Sequence, residues 1–332
     1  QAVVGIVGAA TPEAGKQWLA AGADGRLAYF PEQTPIDLAE GVELSSLDAA
    51  EGRVVLGTAD GRVALWDFAS VDDSPTWIEV FDGQAVEEAV WNGQEWLLLG
   101  AQGQAALLDD QGALQGEAVT LGDGSRLISA SWAQDRWLIA SRAGFVFEVD
   151  AALDPAVDYA EPLDGAAIQA AAPGGEVVVV AGEGGAWRVL DWYGQPVSEV
   201  QTSPAGQDLG AVSWSGRVFV VAGDGGQALL VSPQGEVMGE PIEVLEGRDV
   251  EFAAWSGDFW LLGGADGYTQ RLRPDGTLAG PAVQLTGFEL ARHARWSGSE
   301  WMVVGESGGQ GVFQLVGGGG EGVDTAQALD DF

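Results

Sequence analysis

The chain has 332 residues, 46% of them hydrophobic, no cysteine, and a formal net charge of −36 from 50 acidic and 14 basic residues. The apolar share suits a globular core, and no run reaches the roughly 18 to 20 consecutive apolar residues of a membrane span. That charge repels phosphate backbones and anionic lipid heads, excluding nucleic acid and membrane insertion, and the missing thiols exclude disulfides, thiolate metal sites and cysteine nucleophiles.

A recurring unit orders the rest. A glycine closes its most apolar run at Gly22, Gly57, Gly100, Gly182, Gly223, Gly264 and Gly305, with Ser141 in its place once. From Gly100 onward every step is 41 residues, and eight units of 41 cover 328 of the 332 positions. A period of this length marks a repeat architecture.

The first unit, 1–43, opens with Val3–Val7, runs through a longer loop at Pro12 and Gly15, and carries Trp18. The second, 44–83, diverges most: counted from Gly57, Asp48 and Arg53 stand where aromatic residues stand elsewhere. The remaining units are 84–124, 125–165, 166–206, 207–247, 248–288 and 289–332. In them a tryptophan precedes the reference by nine residues at Trp91, Trp132, Trp214, Trp255 and Trp296. A second aromatic precedes it by four at Trp96, Trp137, Phe219, Trp260 and Trp301. Later in the unit comes a turn signal, ending at Gly112, Gly235 or Gly276, in which Pro or Asp and Gly supply the dihedrals a turn needs.

Four short runs lie between the turns. In 248–288 they are Val250–Trp255, Phe259–Gly264, Tyr268–Leu272 and Thr277–Leu285, with strand lengths and no amphipathic helix between them. Four strands per unit, eight times over, predict one all-β domain: an eight-bladed β-propeller with four-stranded blades, the alternative being seven blades plus an extension. The tryptophan pairs are then wedge fillers between blades. The small residues ahead of the first Trp (Ala89, Ala130, Ala171, Val212, Ala253, Ala294) suit crowded inner strands.

The tail from Gly317 to Phe332 reads as ordered, because Gly317 keeps the turn spacing and Val323–Leu329 falls where a fourth strand is due. It either completes the last blade or docks on a neighbouring molecule. In the second case Val323, Ala326, Ala328, Leu329 and Phe332 form an assembly tail that adds a strand to an open edge of another subunit.

The run from Trp255, Trp-Ser-Gly-Asp-Phe-Trp-Leu-Leu-Gly-Gly, and the run from Arg273, Arg-Pro-Asp-Gly-Thr-Leu-Ala-Gly, carry a resemblance. They resemble a repeat of secreted bacterial β-propeller proteins, roughly Trp-x-Gly-x-x-Tyr/Trp-Leu-Val-Val-Trp followed by Pro-Asp-Gly-Thr. Gly264 stands here where that pattern closes on Trp. The resemblance concerns the scaffold; it implies an exported, extracellular or cell-surface protein and no catalytic residues. The chain also begins at Gln1, as it would after removal of a signal peptide, although a truncated chain begins the same way.

Chemistry is sparse. His293, the single histidine, lies in the run Leu290-Ala-Arg-His-Ala-Arg with Arg292 and Arg295, the densest basic spot of an acidic chain. Equivalent strands bring Glu87, Glu88 and Glu251 to the same region, either as charge balance between inner strands or as a pocket for a small anionic ligand. The Asp-Trp-Tyr-Gly turn places Trp192 and Tyr193 near the surface, where aromatic pairs stack on sugars or anchor a protein, loop packing being the alternative. Acidic turns at Asp109, Asp110, Asp123, Asp224 and Asp275 invite calcium, but the ordered Asp-x-Asp-x-Asp-Gly spacing is missing, so no cofactor is expected, calcium being the alternative. The acidic surface is either a solubilising one or an adaptation to high salt. The expected function is a non-catalytic structural, self-assembling or protein-binding module whose partner is itself or another surface protein. A carbohydrate-binding propeller is the alternative, and an enzyme with a site at the propeller axis the third reading.

Overall fold

A computed structural model describes residues 3–11, 15–30, 34–37, 42–67, 75–154, 159–318 and 326–328. The fold is all-β, of the β-propeller type with four-stranded blades. The described strands pair into eight four-stranded sheets, each in sequence order. The first contains β1 (Val3–Thr11), β2 (Gly15–Gly22), β3 (Arg26–Phe30) and β4 (Thr34–Asp37). The second contains β5 (Leu44–Ala50), β6 (Arg53–Thr58), β7 (Arg62–Asp67) and β8 (Ile78–Glu79). The third contains β9 (Val86–Trp91), β10 (Glu95–Gly100), β11 (Gln104–Asp109) and β12 (Val119–Thr120). In the fourth are β13 (Leu127–Ala133), β14 (Arg136–Ser141), β15 (Val146–Asp150) and β16 (Tyr159–Ala160). In the fifth are β17 (Ile168–Gly174), β18 (Val177–Gly182), β19 (Ala186–Asp191) and β20 (Gln201–Thr202). The sixth contains β21 (Ala211–Trp214), β22 (Phe219–Ala222), β23 (Gln227–Val231) and β24 (Ile242–Glu243). The seventh contains β25 (Val250–Trp255), β26 (Trp260–Gly264), β27 (Tyr268–Leu272) and β28 (Val283–Gln284). The eighth contains β29 (Leu290–Trp296), β30 (Glu300–Ser307), β31 (Gln310–Gly317) and β32 (Gln327–Ala328).

The chain divides into two compact units. One comprises Gln1–Leu127, Val304–Phe313 and Gln327–Phe332; the other comprises Ile128–Val303 and Gln314–Ala326. Within each, the core lies between successive sheets. In the first unit, Val55 and Val63 pack with Trp96 and Leu98. In the second, Leu138 packs with Val178 and Leu190, Val179 and Trp187 with Phe219 and Val221, and Val220 and Leu230 with Trp260 and Leu262. Trp96, Trp137, Trp260, Trp301 and Phe219 are fully buried on second strands. Each sits 4.4 to 5.2 Å, ring centre to ring centre, from the tilted ring of the tryptophan facing it on the first strand. The second-strand rings are therefore core, as the repeat spacing predicts, and the first-strand tryptophans pack half-buried against them. Trp187 fills the same kind of space from a third strand.

The conserved register explains the closing glycine. The residue after it donates its N–H to a carbonyl just ahead of the inner strand: Glu183 to Ala167 at 3.0 Å, Asp224 to Asp208 at 2.9 Å, Ala265 to Asp249 at 3.1 Å. A Cβ at Gly182, Gly223 or Gly264 would collide with that same oxygen. Where a side chain does occur it closes the turn itself: the Ser141 hydroxyl accepts from Phe145 N–H at 3.2 Å.

The same register corrects the second unit. Leu44 pairs with Thr58 as Val86 pairs with Gly100 and Val250 with Gly264, so the reference position is Thr58 and not Gly57. Thr58 Oγ1 accepts from Arg62 N–H at 2.8 Å, repeating the Ser141 arrangement. The tryptophan positions accordingly fall on Ala49 and Val54, which pair as Trp91 pairs with Trp96, and not on Asp48 and Arg53. The fourth strands are shorter than the sequence suggests: β28 covers only Val283–Gln284 of the run Thr277–Leu285.

The assembly tail is also corrected. Gln327 and Ala328 pair antiparallel with Phe313 and Val312, so this strand occupies the outer edge of the chain's own eighth sheet. A strand already paired there is not free to add to a neighbour. Ala326 precedes it; Val323, Leu329 and Phe332 lie outside the described residues.

Candidate functional site

Two groups of side chains stand apart from the core. The first is on the inner strands. A register shift in each of β5, β9, β17 and β25 leaves one residue unpaired: Ser45, Glu87, Gln169 and Glu251. Such bulges re-aim a side chain out of the ladder. Here they reach onward to the following repeat. The Ser45 hydroxyl donates to the Val86 carbonyl at 2.7 Å, and Gln169 Nε2 donates to Asp208 Oδ2 at 2.5 Å. Glu87 pairs with Arg126 at 2.6 Å, and Glu251 with Arg292, 41 residues on, at 3.5 Å. These acids and Arg292 therefore form staples between successive repeats. Glu251 and Arg292 are brought together; Glu87 is held by Arg126, which sequence reasoning passed over.

His293 is exposed, yet protein crowds it enough to disfavour its charged form, and the guanidiniums of Arg292 and Arg295 push the same way. Its imidazole is thus held below the ordinary range. Arg295 is exposed on the same strand.

Glu88 is the anomaly of the inner strands. Its Oε2 is enclosed without a hydrogen-bond partner. Burial, and then the charge of Asp48 on the adjoining inner strand, push its carboxyl up to about 8. The residue is therefore largely protonated at neutral pH, a carboxylic acid kept uncharged by its surroundings. Its register equivalents Ser46, Ala170 and Phe252 are small or apolar, so the departure from the repeat was the signal in the sequence. Among the described residues no group of three or more His, Asp or Glu gathers in a way that could hold a metal ion.

The second group is on the hairpins that lead from third to fourth strands. Trp192 is corrected here: it is buried, with 9% of its surface open, and packs with Leu138, Leu163 and Leu190. It occupies the turn position that Pro233 and Pro274 occupy in later repeats, where the turn folds back on the preceding sheet. Tyr193 points outward, 47% exposed, its hydroxyl donating to Gln134 Oε1 at 3.0 Å. Just beyond each turn the chain bridges back to its third strand, at Leu190 with Pro196, Val231 with Val237 and Leu272 with Leu278. Aliphatic side chains are left in solvent at these bridges and beside them: Val197, Val237, Met238 and Leu278, each at least 40% exposed. The sequence reading did not find them. Val197 and Met238 are 41 residues apart, as are Val237 and Leu278, but these looked like ordinary strand positions.

No protein-family model matches the chain, and no curated protein does. Among solved structures, the computationally designed Ika8 protein is similar over 94% of this chain and 95% of its own, with a TM-score of 0.74 and 16% identity. A chain in a structure of the Mitotic Checkpoint Complex is similar over 81% of this chain and 85% of its own, with a TM-score of 0.63 and 14% identity. At such identities the likeness is one of fold.

Proposed function

We propose that this chain is a non-catalytic protein-interaction module, exported from the cell, that presents its blades as a rigid scaffold. The observation that supports this reading best is the set of aliphatic side chains left in solvent on successive hairpins, at Val197, Val237, Met238 and Leu278. Scattered surface hydrophobics need no explanation, but a repeated set on adjoining hairpins suits a binding patch. One similar fold belongs to a protein assembly, the Mitotic Checkpoint Complex, which is consistent with protein partners. The eight four-stranded sheets support eight blades over seven plus an extension, and class averages in negative stain would display the count.

The test is affinity capture by the immobilised full chain from lysate and medium of the source cells, followed by mass spectrometry. A protein retained in stoichiometric amount supports the reading; an eluate empty of protein contradicts it.

A carbohydrate-binding role is the second reading. Trp192 no longer supports it, but Tyr159, 56% exposed and edge-on to Phe145 at 5.0 Å, offers an aromatic face with Phe147 behind it. A glycan array on the wild type and Tyr159→Ala would separate the two, since only the lectin reading expects a sugar signal lost in the variant.

A further inference from the structure

We propose that the hairpins of the fifth, sixth and seventh sheets form one continuous docking strip for a basic, aliphatic-rich segment of a partner protein. The inference rests on the protein-interaction reading and names the chemistry of the partner.

Continuity follows from how the turns nest. A Cβ on Gly235, which starts the return toward Val237, would collide with the side chain of Ser198, the residue after Val197. The sixth hairpin is therefore seated directly on the fifth. Met238 is fixed by its N–H, which donates to the Leu230 carbonyl at 2.8 Å. Gly276, which starts the return toward Leu278, sits where its Cβ would lie 3.5 Å from Ile242 and 3.6 Å from Leu230. The seventh hairpin thus rests on the residue that anchors Met238. Three adjoining hairpins thus carry the open aliphatics at two neighbouring repeat positions, Val197 with Met238 and Val237 with Leu278.

Charge selects the occupant. Glu199 lies two residues beyond Val197, and Glu236 and Glu240 flank the middle pair; all three are exposed, while the seventh hairpin carries exposed Asp275 beside exposed Arg273, so the carboxylate fringe belongs to the fifth and sixth hairpins. A strip of aliphatics fringed with carboxylates, on a chain of net charge −36, attracts cations and repels a second copy of itself, nucleic acid and anionic lipid. The complementary surface is a peptide segment that alternates Lys or Arg with Leu, Ile or Val.

The experiment is fluorescence anisotropy of the full chain with a labelled leucine–lysine peptide and a serine–lysine peptide of equal length and charge, at about 0.15 M salt. The leucine–lysine peptide should bind at least about tenfold tighter, and the variant Val197→Ser/Met238→Ser/Leu278→Ser should remove that preference. These side chains are in solvent, so an unchanged melting curve will certify that the variant folds. Glu199→Gln/Glu236→Gln/Glu240→Gln should weaken both peptides and flatten their dependence on salt. Equal binding of the two peptides, or an unchanged preference in the serine variant, would overturn the strip. A natural partner captured equally by wild type and serine variant would also overturn it and leave the protein-interaction reading standing. Capture of no protein at all would remove that reading instead.

Discussion

Glu88 illustrates how one side chain can set the pH response of the whole chain. Its carboxyl titrates at about 8 in the folded state against an ordinary 4.5, because burial and Asp48 disfavour its charged form. A raised acid leaves stability intact below its ordinary pKa and removes it as pH climbs toward the folded value, by ~1.4 kcal/mol for each pH unit between the two. Asp224 is raised in the same direction, by burial and then by Asp249 and Asp208. Lowering of His293 acts the other way, removing stability as pH falls through its range. Wild type should therefore melt at lower temperature at about pH 8 than at about pH 5, and Glu88→Gln should lose most of that difference while gaining stability at the higher pH. Calorimetry across the range decides it; a variant with the wild-type slope would show that Glu88 is already solvated. Trp260 makes the opposite case, a residue whose role is packing alone. Being fully buried among Val220, Leu230 and Leu262, it should cost about 3 to 5 kcal/mol on truncation to alanine, read from denaturant midpoints.

At the scale of the strand and turn, the closing glycine carries the repeat. Gly223→Ala should destabilise by at least about 2 kcal/mol, because its methyl would meet the Asp208 carbonyl that the next N–H needs. Ser141→Ala should cost only about 1 kcal/mol, the value of the hydroxyl's bond to Phe145 N–H. Equal losses at the two sites would break this explanation. The contrast also shows why the spacing was readable: a collision with the facing carbonyl leaves a glycine at a fixed interval except where a Ser or Thr hydroxyl closes the turn, and the buried ring four residues earlier is almost as constrained. The second repeat escaped because Gly57 and Thr58 are neighbours and the turn works with either chemistry; only pairing with Leu44 tells them apart. Trp192 escaped for a different reason. Asp-Trp-Tyr-Gly looks like an exposed turn, but this turn folds back on the preceding sheet, and one ring goes in while the next goes out. The tail's strand was placed in its unit from spacing, but spacing alone left open which molecule's sheet edge it completes. Of the candidate site, the pairing of Glu251 with Arg292 was legible as charge at equal spacing, whereas the exposed aliphatics sit at or beside isolated bridges just beyond the turns, which periodicity does not tell from strand.

For the whole molecule, the dominant physical fact is a net charge of −36 with a single lysine among the fourteen basic residues. Self-repulsion on that scale is screened as the Debye length falls from about 10 Å at 0.1 M to about 3 Å at 1 M salt. The melting temperature should rise steeply over that interval, and a flat curve would mean that the carboxylates are too dispersed to matter. On the proposed reading the same field favours a basic partner, docked where the aliphatics stand open. Photo-cross-linking from position 238 in the medium of the source cells tests this most directly, with position 159 as the control. A basic protein joined from position 238 and absent from position 159 is the result expected. No adduct from 238, or the same adducts from both positions, would contradict it.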